Sequence, residues 1–330
     1  YAAAYLNLIG TDKLSAEDIS NEFYKLACSF NINVGNDETR ITISGLSENL
    51  EKALALFESL VWNAREDQTA LTRYMENIKK ARQDSKANQQ TVFTALVNRA
   101  MYGPNNPFTH TLTDVELDAI TPGKLINTLR EIWAIDHKIV FFGPQSIREV
   151  TAMVEKHHKT PRRLAAVPTG IRFTPLETTK NKVYFAHYDA NQSYLQTISR
   201  GMRYSEDNLP LIQMYNAYFG GGMNAIVFQE MREKRGLAYT ARSNYGGINA
   251  PDEYYVNTSY IATQNDKVVD AFSAFNELFE DMPVSESSFA LAKDQLISNI
   301  RTQRIRDTGI IYNYLNAKKF NRESDIRRKL

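Results

Sequence analysis

The sequence predicts an α+β fold made of two homologous domains, each a mostly antiparallel sheet with helices packed on one face. Three observations lead there. Helical apolar spacing flanks pairs of strand-like segments joined by turn residues, an order that suits antiparallel layers and not alternating βαβ units. A repeat is visible: ISGLSENLEKALALFESL from Ile43 lines up with IATQNDKVVDAFSAFNEL from Ile261. Ile43/Ile261, Glu48/Asp266, Ala53/Ala271, Phe57/Phe275 and Leu60/Leu278 share one offset, 218. Finally, residues 158–182 hold three of the ten prolines (Pro161, Pro168, Pro175) and show no apolar period. That is linker composition.

The elements follow in order. Ala2–Leu8 is apolar with helical spacing, and Gly10 breaks it. Ser15 starts a second helix with Asp18 three residues on, the layout of a capping box. Ile19, Phe23, Leu26 and Ala27 keep the helical face. Short strands are expected near Ile32–Val34 and Arg40–Ser44, turned by Gly35-Asn36-Asp37. Glu48–Trp62 carries Leu50, Leu54, Phe57 and Val61 on one face. Gln68–Met101 reads as two amphipathic helices, ended by Gly103-Pro104. Pro122 opens another helix, with Leu125, Leu129 and Ile132 on its face. Lys138–Phe142 (KIVFF) reads as a short buried strand closed by Gly143-Pro144. A helix over Ser146–His157 completes this part.

Beyond the linker, strands are expected at Val183–His187 and Tyr194–Gly201. A helix over Asn208–Phe219 places Leu211, Met214, Tyr215 and Tyr218 on one side. Gly220-Gly221-Gly222 and a helix Ala225–Arg235 follow. A hairpin alternates through Tyr239–Tyr245 and Tyr254–Ile261, and long helices run on from Asp266. The expected domains are 1–160 and 182–330, joined by the linker 161–181.

Composition narrows the function. The chain has 330 residues, 43% hydrophobic and 23% charged, the balance of a water-soluble globular protein. No apolar run approaches the roughly 20 residues that span a bilayer. The net charge of +1 gives no electrostatic case for nucleic acid or an anionic membrane. Cys28 is the one cysteine, so no internal disulfide or thiolate metal site is possible. The chain opens at Tyr1 and ends in IRRKL within a charged helical pattern, which reads as a fragment of a longer protein.

Few motifs carry chemistry. The triple glycine follows a helix, has no Lys-Ser/Thr pair after it, and reads as a helix–helix corner with Asn224 as N-cap. His157-His158 are adjacent and point about 100° apart, a poor start for a tetrahedral ion, and His110, His137 and His187 are isolated. Arg232 and Tyr239 flank Gly236. One reading makes them a solvated helix residue and a strand-packing residue. The other uses Gly236 as a helix C-cap that turns the chain back and sets a guanidinium and a phenol toward one peptide carbonyl.

The segment GGGMNAIVFQEMREKRGLAYTARSNY resembles the signature of the second half of insulinase/pitrilysin-type zinc metallopeptidases, the inverzincins. AAYLNLIGTDKLSAEDISNEFYKL, GLSENLEKALALFESL and the strand ending FFGP resemble that family's third domain. The resemblance implies that residues 1–160 are the third domain without its first strand, and that 182–330 are a fourth domain truncated at its end. It implies a C-terminal half that closes the substrate chamber of a zinc metalloendopeptidase and contacts peptide. Arg232 and Tyr239 match substrate-contacting residues, Tyr239 as donor to the scissile carbonyl or oxyanion. The motif His-x-x-Glu-His is absent, so zinc is expected in a missing N-terminal half, and this fragment is expected to bind no metal and to be inactive alone. The implied partners are that half or a catalytic subunit, and a peptide substrate. A catalytically inactive partner or scaffold subunit is the alternative. An exported, periplasmic location is the implied compartment.

Overall fold

A computed structural model describes residues 1–35, 38–177, 179–322, 325–328 and 330. The chain folds as two compact units, Tyr1–Asn181 and Lys182–Leu330. Both mix helices with an antiparallel sheet.

In the first unit the order is α1 (Ala2–Leu6), α2 (Ala16–Lys25), β1 (Cys28–Val34), β2 (Thr39–Gly45), α3 (Leu50–Trp62), α4 (Gln68–Lys86), α5 (Gln89–Tyr102), α6 (Asp114–Asp118), α7 (Pro122–Ile132) and α8 (Ile147–His157). Ser15 caps α2 in a full capping box with Asp18, as the spacing predicts. Ser146 and Thr113 do the same for α8 and α6. Each such cap stabilises a helix start by about 1 kcal/mol. β1 and β2 pair from Cys28↔Gly45 to Val34↔Thr39. Of the expected hairpin turn, Asn36 and Asp37 lie outside the described residues.

The core of this unit forms where α3 lies on the hairpin. Ala53, Phe57, Leu60 and Val61 are its buried stripe; Leu50 and Leu54, expected on that face, are only half-buried. Phe23, Phe30, Phe57 and Trp133 follow one another at ring separations of 5.0, 5.0 and 6.2 Å. Fully burying one such ring contributes roughly 1.5–3 kcal/mol. The Tyr5 hydroxyl donates to the Asp67 carbonyl and accepts from the Asp67 amide, both at 2.9 Å, which ties α1 to the start of α4.

The second unit contains β3 (Gln192–Arg203), α9 (Leu209–Tyr215), α10 (Ile226–Phe228), β4 (Thr240–Gly246), β5 (Tyr254–Gln264), α11 (Val268–Glu280), α12 (Glu286–Thr302) and α13 (Thr308–Lys319). The sheet order is β3-β5-β4. Phe219, Val227, Met231, Ile261, Ala271 and Phe275 form the core against one sheet face. Leu211, expected on the inner side of α9, is 62% exposed, and Ile212 is buried in its place. Pro210 sits in the first turn of α9, which starts one residue before it.

Two expected strands do not form. Residues 138–142 and 183–187 pair with no described strand. Ile139, Val140 and Phe142 are exposed, and Val183 is 93% exposed. Apolar β-branched runs satisfy the local preference, but a strand also needs a partner for its backbone groups, and that partner is non-local. The repeat shows the same asymmetry. β5 is paired on both edges, whereas its counterpart β2 is paired on one.

The close fit of the second unit is set by residues 216–220, a π-helical turn that continues α9. Its Asn216 amide pairs with the Tyr245 backbone in both directions: Nδ2 donates to the carbonyl at 3.0 Å and Oδ1 accepts from the amide at 2.8 Å. The Tyr215 hydroxyl lies 3.0 Å from Ser243 Oγ. A Cβ on Gly220 would stand 2.0 Å from the Ser243 carbonyl oxygen.

Gly220→Ala is therefore expected to lower unfolding free energy by about 3 kcal/mol, read by chemical denaturation. Equal stability of the variant and parent would show that this approach is not tight. On the same sheet, burial and then the neighbouring phenols of Tyr204 and Tyr245 push the Tyr255 pKa up to about 12. Below pH 10 the phenol is neutral both folded and unfolded. Between about 10 and 12 only the unfolded chain ionises, so stability falls as pH rises. In Tyr255→Phe that alkaline decline is expected to be shallower, followed by denaturation at pH 9 and 11.

Candidate functional site

Arg232 and Tyr239 come together at the start of β4. After the glycine run, Ala225 is the extended residue that opens α10; it has no side-chain cap, so Asn224 is not the N-cap the sequence suggested. Gln229 Nε2 instead donates to the Met223 carbonyl at 2.6 Å. α10 then widens into a π-helical turn, Gln229–Lys234. Val227 and Met231 are fully buried and fix which face looks inward. Arg232, one residue on and about 100° around the helix, must point out.

The chain then reverses. Gly236 has φ +59°, a left-handed conformation in which glycine carries no Cβ penalty, and its amide reaches back to the Arg232 carbonyl at 3.2 Å. The Met231 carbonyl accepts from both Leu237 and Ala238. The Tyr239 amide donates to the Ala262 carbonyl at 2.9 Å and so begins the β4–β5 ladder. Arg235 Nη1 reaches Glu277 of α11 at 2.8 Å, and Lys267 donates to the Gly236 carbonyl.

The outcome is a stacked arrangement. The Arg232 guanidinium carbon is 5.0 Å from the centre of the Phe228 ring and 5.4 Å from that of Tyr239. Its Nε lies 3.6 Å from Glu233, a loose contact. Tyr239 is 68% exposed. Among the described residues its hydroxyl has no hydrogen-bond partner, so it is open to an incoming acceptor. Ring contacts hold the guanidinium without consuming its N–H donors. The arrangement presents a cationic fork and a phenol on one solvent-facing patch.

Four of the five histidines are engaged elsewhere. His158 Nδ1 lies 2.6 Å from Glu58 Oε1, and His158 Nε2 lies 3.0 Å from His137 Nε2. His137 Nδ1 meets the Ile135 carbonyl at 2.6 Å. Glu58 is buried and also accepts from the indoles of Trp62 and Trp133 at 3.0–3.2 Å. His157 pairs with Glu51, and His110 packs on Phe173. The sequence reading passed over Glu58, because a carboxylate in an apolar helix looks solvated until its distant donors are known.

Two family models match this chain. "Peptidase M16 inactive domain" covers residues 136–296, and "Insulinase (Peptidase family M16)" covers residues 4–114. The chain belongs to the insulinase-like peptidase family M16. A Rickettsia bellii protein named as an uncharacterized zinc protease is 25% identical over an alignment of 308 residues that covers 88% of this chain and 70% of that protein. Among solved structures, the peptidase M16 inactive domain from Pseudomonas fluorescens matches 99% of this chain and 80% of its own, with TM-score 0.71 and 18% identity. The periplasmic protease PqqL from Escherichia coli matches all of this chain with TM-score 0.73 and 11% identity, but the match spans 37% of PqqL. These neighbours share the fold described above.

The names of these relatives imply zinc in the family. The residues present here do not fit that ion: among the described residues no group of three His, Cys, Asp or Glu side chains could hold a metal.

The Glu58 cluster is a structural device with a measurable weight. Glu58→Leu leaves two indole N–H groups and His158 Nδ1 without their acceptor, and is expected to lower stability by about 3 kcal/mol. Denaturant titration checks it, and a loss under about 0.5 kcal/mol would contradict the assignment.

Proposed function

We propose that this chain is the non-catalytic C-terminal half of a zinc metalloendopeptidase, closing the substrate chamber and contacting peptide substrate and transition state. Residues 1–160 are read as the third domain without its first strand, 161–181 as a linker and 182–330 as a truncated fourth domain. Zinc belongs to the N-terminal half or to a catalytic partner subunit. The observation that carries the reading is the convergence of Arg232 and Tyr239 on one open patch. The match of an inactive-type M16 domain to residues 136–296 supports it.

In this reading Arg232 grips the peptide backbone through its free N–H edge. Tyr239 donates its hydroxyl proton in a hydrogen bond to the scissile carbonyl, a bond that strengthens as the oxygen gains negative charge. The alternative is a catalytically inactive partner or scaffold subunit of the same family. The coverage figures favour weighing it: the chain spans 80% of the Pseudomonas fluorescens protein described as an inactive domain. Export to the periplasm fits either reading, and fractionation of cells expressing the parent protein would test it.

With the chain joined to its catalytic half, Tyr239→Phe is expected to reduce kcat on the order of 10²–10³-fold. Its unfolding free energy should stay within about 0.5 kcal/mol of the parent, since the side chain is exposed. Turnover equal to the parent would remove the oxyanion role. If, in that case, omitting the whole chain still abolished activity, the scaffold reading would replace it.

A further inference from the structure

We infer that Phe228 is a positioning residue for Arg232: its ring holds the guanidinium away from the neighbouring Glu233 carboxylate, so that the N–H edge stays open to a peptide carbonyl. This rests on the proposed substrate-contacting role of Arg232 and adds the residue that prepares it for that role.

The main chain decides only where the Arg232 side chain starts. The guanidinium lies beyond several rotatable bonds, and keeping it in one place costs rotamer entropy. Two rings and a carboxylate lie beside it. The Phe228 ring, four residues earlier on the helix, has its centre 5.0 Å from the guanidinium carbon. The Tyr239 ring is 5.4 Å away, and Glu233 Oε1 is 3.6 Å from Nε. Contact with a ring face orients a guanidinium and leaves its N–H groups free. Closure onto the carboxylate would spend those donors before a peptide arrives.

The neighbouring charges sharpen that competition. Lys234 pairs with Glu230, and Arg235 pairs with Glu277 at 2.8 Å. Glu233 makes no closer ion pair among the described residues than its loose contact with Arg232. Both side chains are about half exposed, 45% for Arg232 and 51% for Glu233, so solvent does not keep them apart.

Phe228 is suited to act as the wall. It is half-buried and follows the fully buried Val227, so one part of the ring is anchored while another faces Arg232. Tyr239, at 68% exposed, is the softer of the two ring contacts. A grip on the peptide backbone acts in the bound substrate and in the transition state alike. Losing its preparation therefore raises KM and spares kcat.

The test uses the chain joined to its catalytic half and a quenched fluorogenic peptide. Phe228→Leu is expected to raise KM about five-fold, with kcat within about two-fold of the parent. Phe228→Tyr keeps a ring and should restore the parent KM. Adding Glu233→Gln to Phe228→Leu should recover part of the loss, because the competing carboxylate is gone. Adding Phe228→Leu to Arg232→Gln should change nothing further, as expected of two residues that act through one contact. In the isolated chain, NMR should show the Arg232 side-chain protons displaced by ring currents, a displacement that Phe228→Leu reduces and Phe228→Tyr retains. Circular dichroism confirms that the variants fold.

An unchanged KM in Phe228→Leu overturns the inference, and so does the same rise with and without Arg232→Gln. If Arg232→Gln raises KM while Phe228→Leu does not, this inference alone fails. If Arg232→Gln leaves KM unchanged, the substrate-contacting role fails, and the NMR displacement alone upholds or overturns the placement of the guanidinium by Phe228.

Discussion

The contact on which the second unit turns is the approach of residues 216–220 to β4. A side-chain amide at Asn216 bonds both backbone groups of Tyr245, and Gly220 lets the turn lie directly on the Ser243 carbonyl. Widening of the helix there into a π-turn supplies the extra residue that brings both groups into register with the strand. Once that turn is seated, the glycine run and α10 have little freedom. Buried Val227 and Met231 then fix the rotation of the helix that carries Arg232.

From that rotation the exposed patch follows. Met231 accepts the amides of Leu237 and Ala238, Gly236 takes the left-handed turn, and Tyr239 enters the ladder against Ala262. Each step makes a backbone hydrogen bond, so the main chain stays paired as it reverses. The Arg232–Tyr239 pair is thus held by main-chain accounting more than by its own weak ring contact. Such support is what a donor pair needs, since positioning matters more than the strength of either group.

The two units show how one sequence pattern is used in two ways. Ala53, Phe57 and Leu60 bury the same face of α3 that Ala271, Phe275 and Leu278 bury on α11. The first unit also pairs two cross-strand serines, Ser29 and Ser44, but that contact is exposed, whereas Ser243–Ser259 is buried; the buried polar centre of the first unit is the Glu58 cluster. A buried carboxylate shared by two indoles and an imidazole is costly to desolvate and tolerable only when every acceptor position is used.

Much of this was legible in the chain itself. The capping box at Ser15, the paired helices across residues 68–102, the proline start of α7 and the β4–β5 hairpin are local matters, decided within a few residues by dihedral preference and hydrogen-bonding reach. The 218-residue offset carried the α+β repeat, and Arg232-Gly236-Tyr239 marked a possible site. What the chain alone could not decide was everything that depends on a distant partner. KIVFF and residues 183–187 have strand composition, yet a strand exists only where another lies beside it. Leu50, Leu54 and Leu211 have core composition, yet neighbouring residues took the buried positions. Glu58 looks like a surface residue until two tryptophans and a histidine, up to 100 positions away, surround it. Local energetics are written in short stretches of sequence, whereas burial and pairing are properties of the assembled fold.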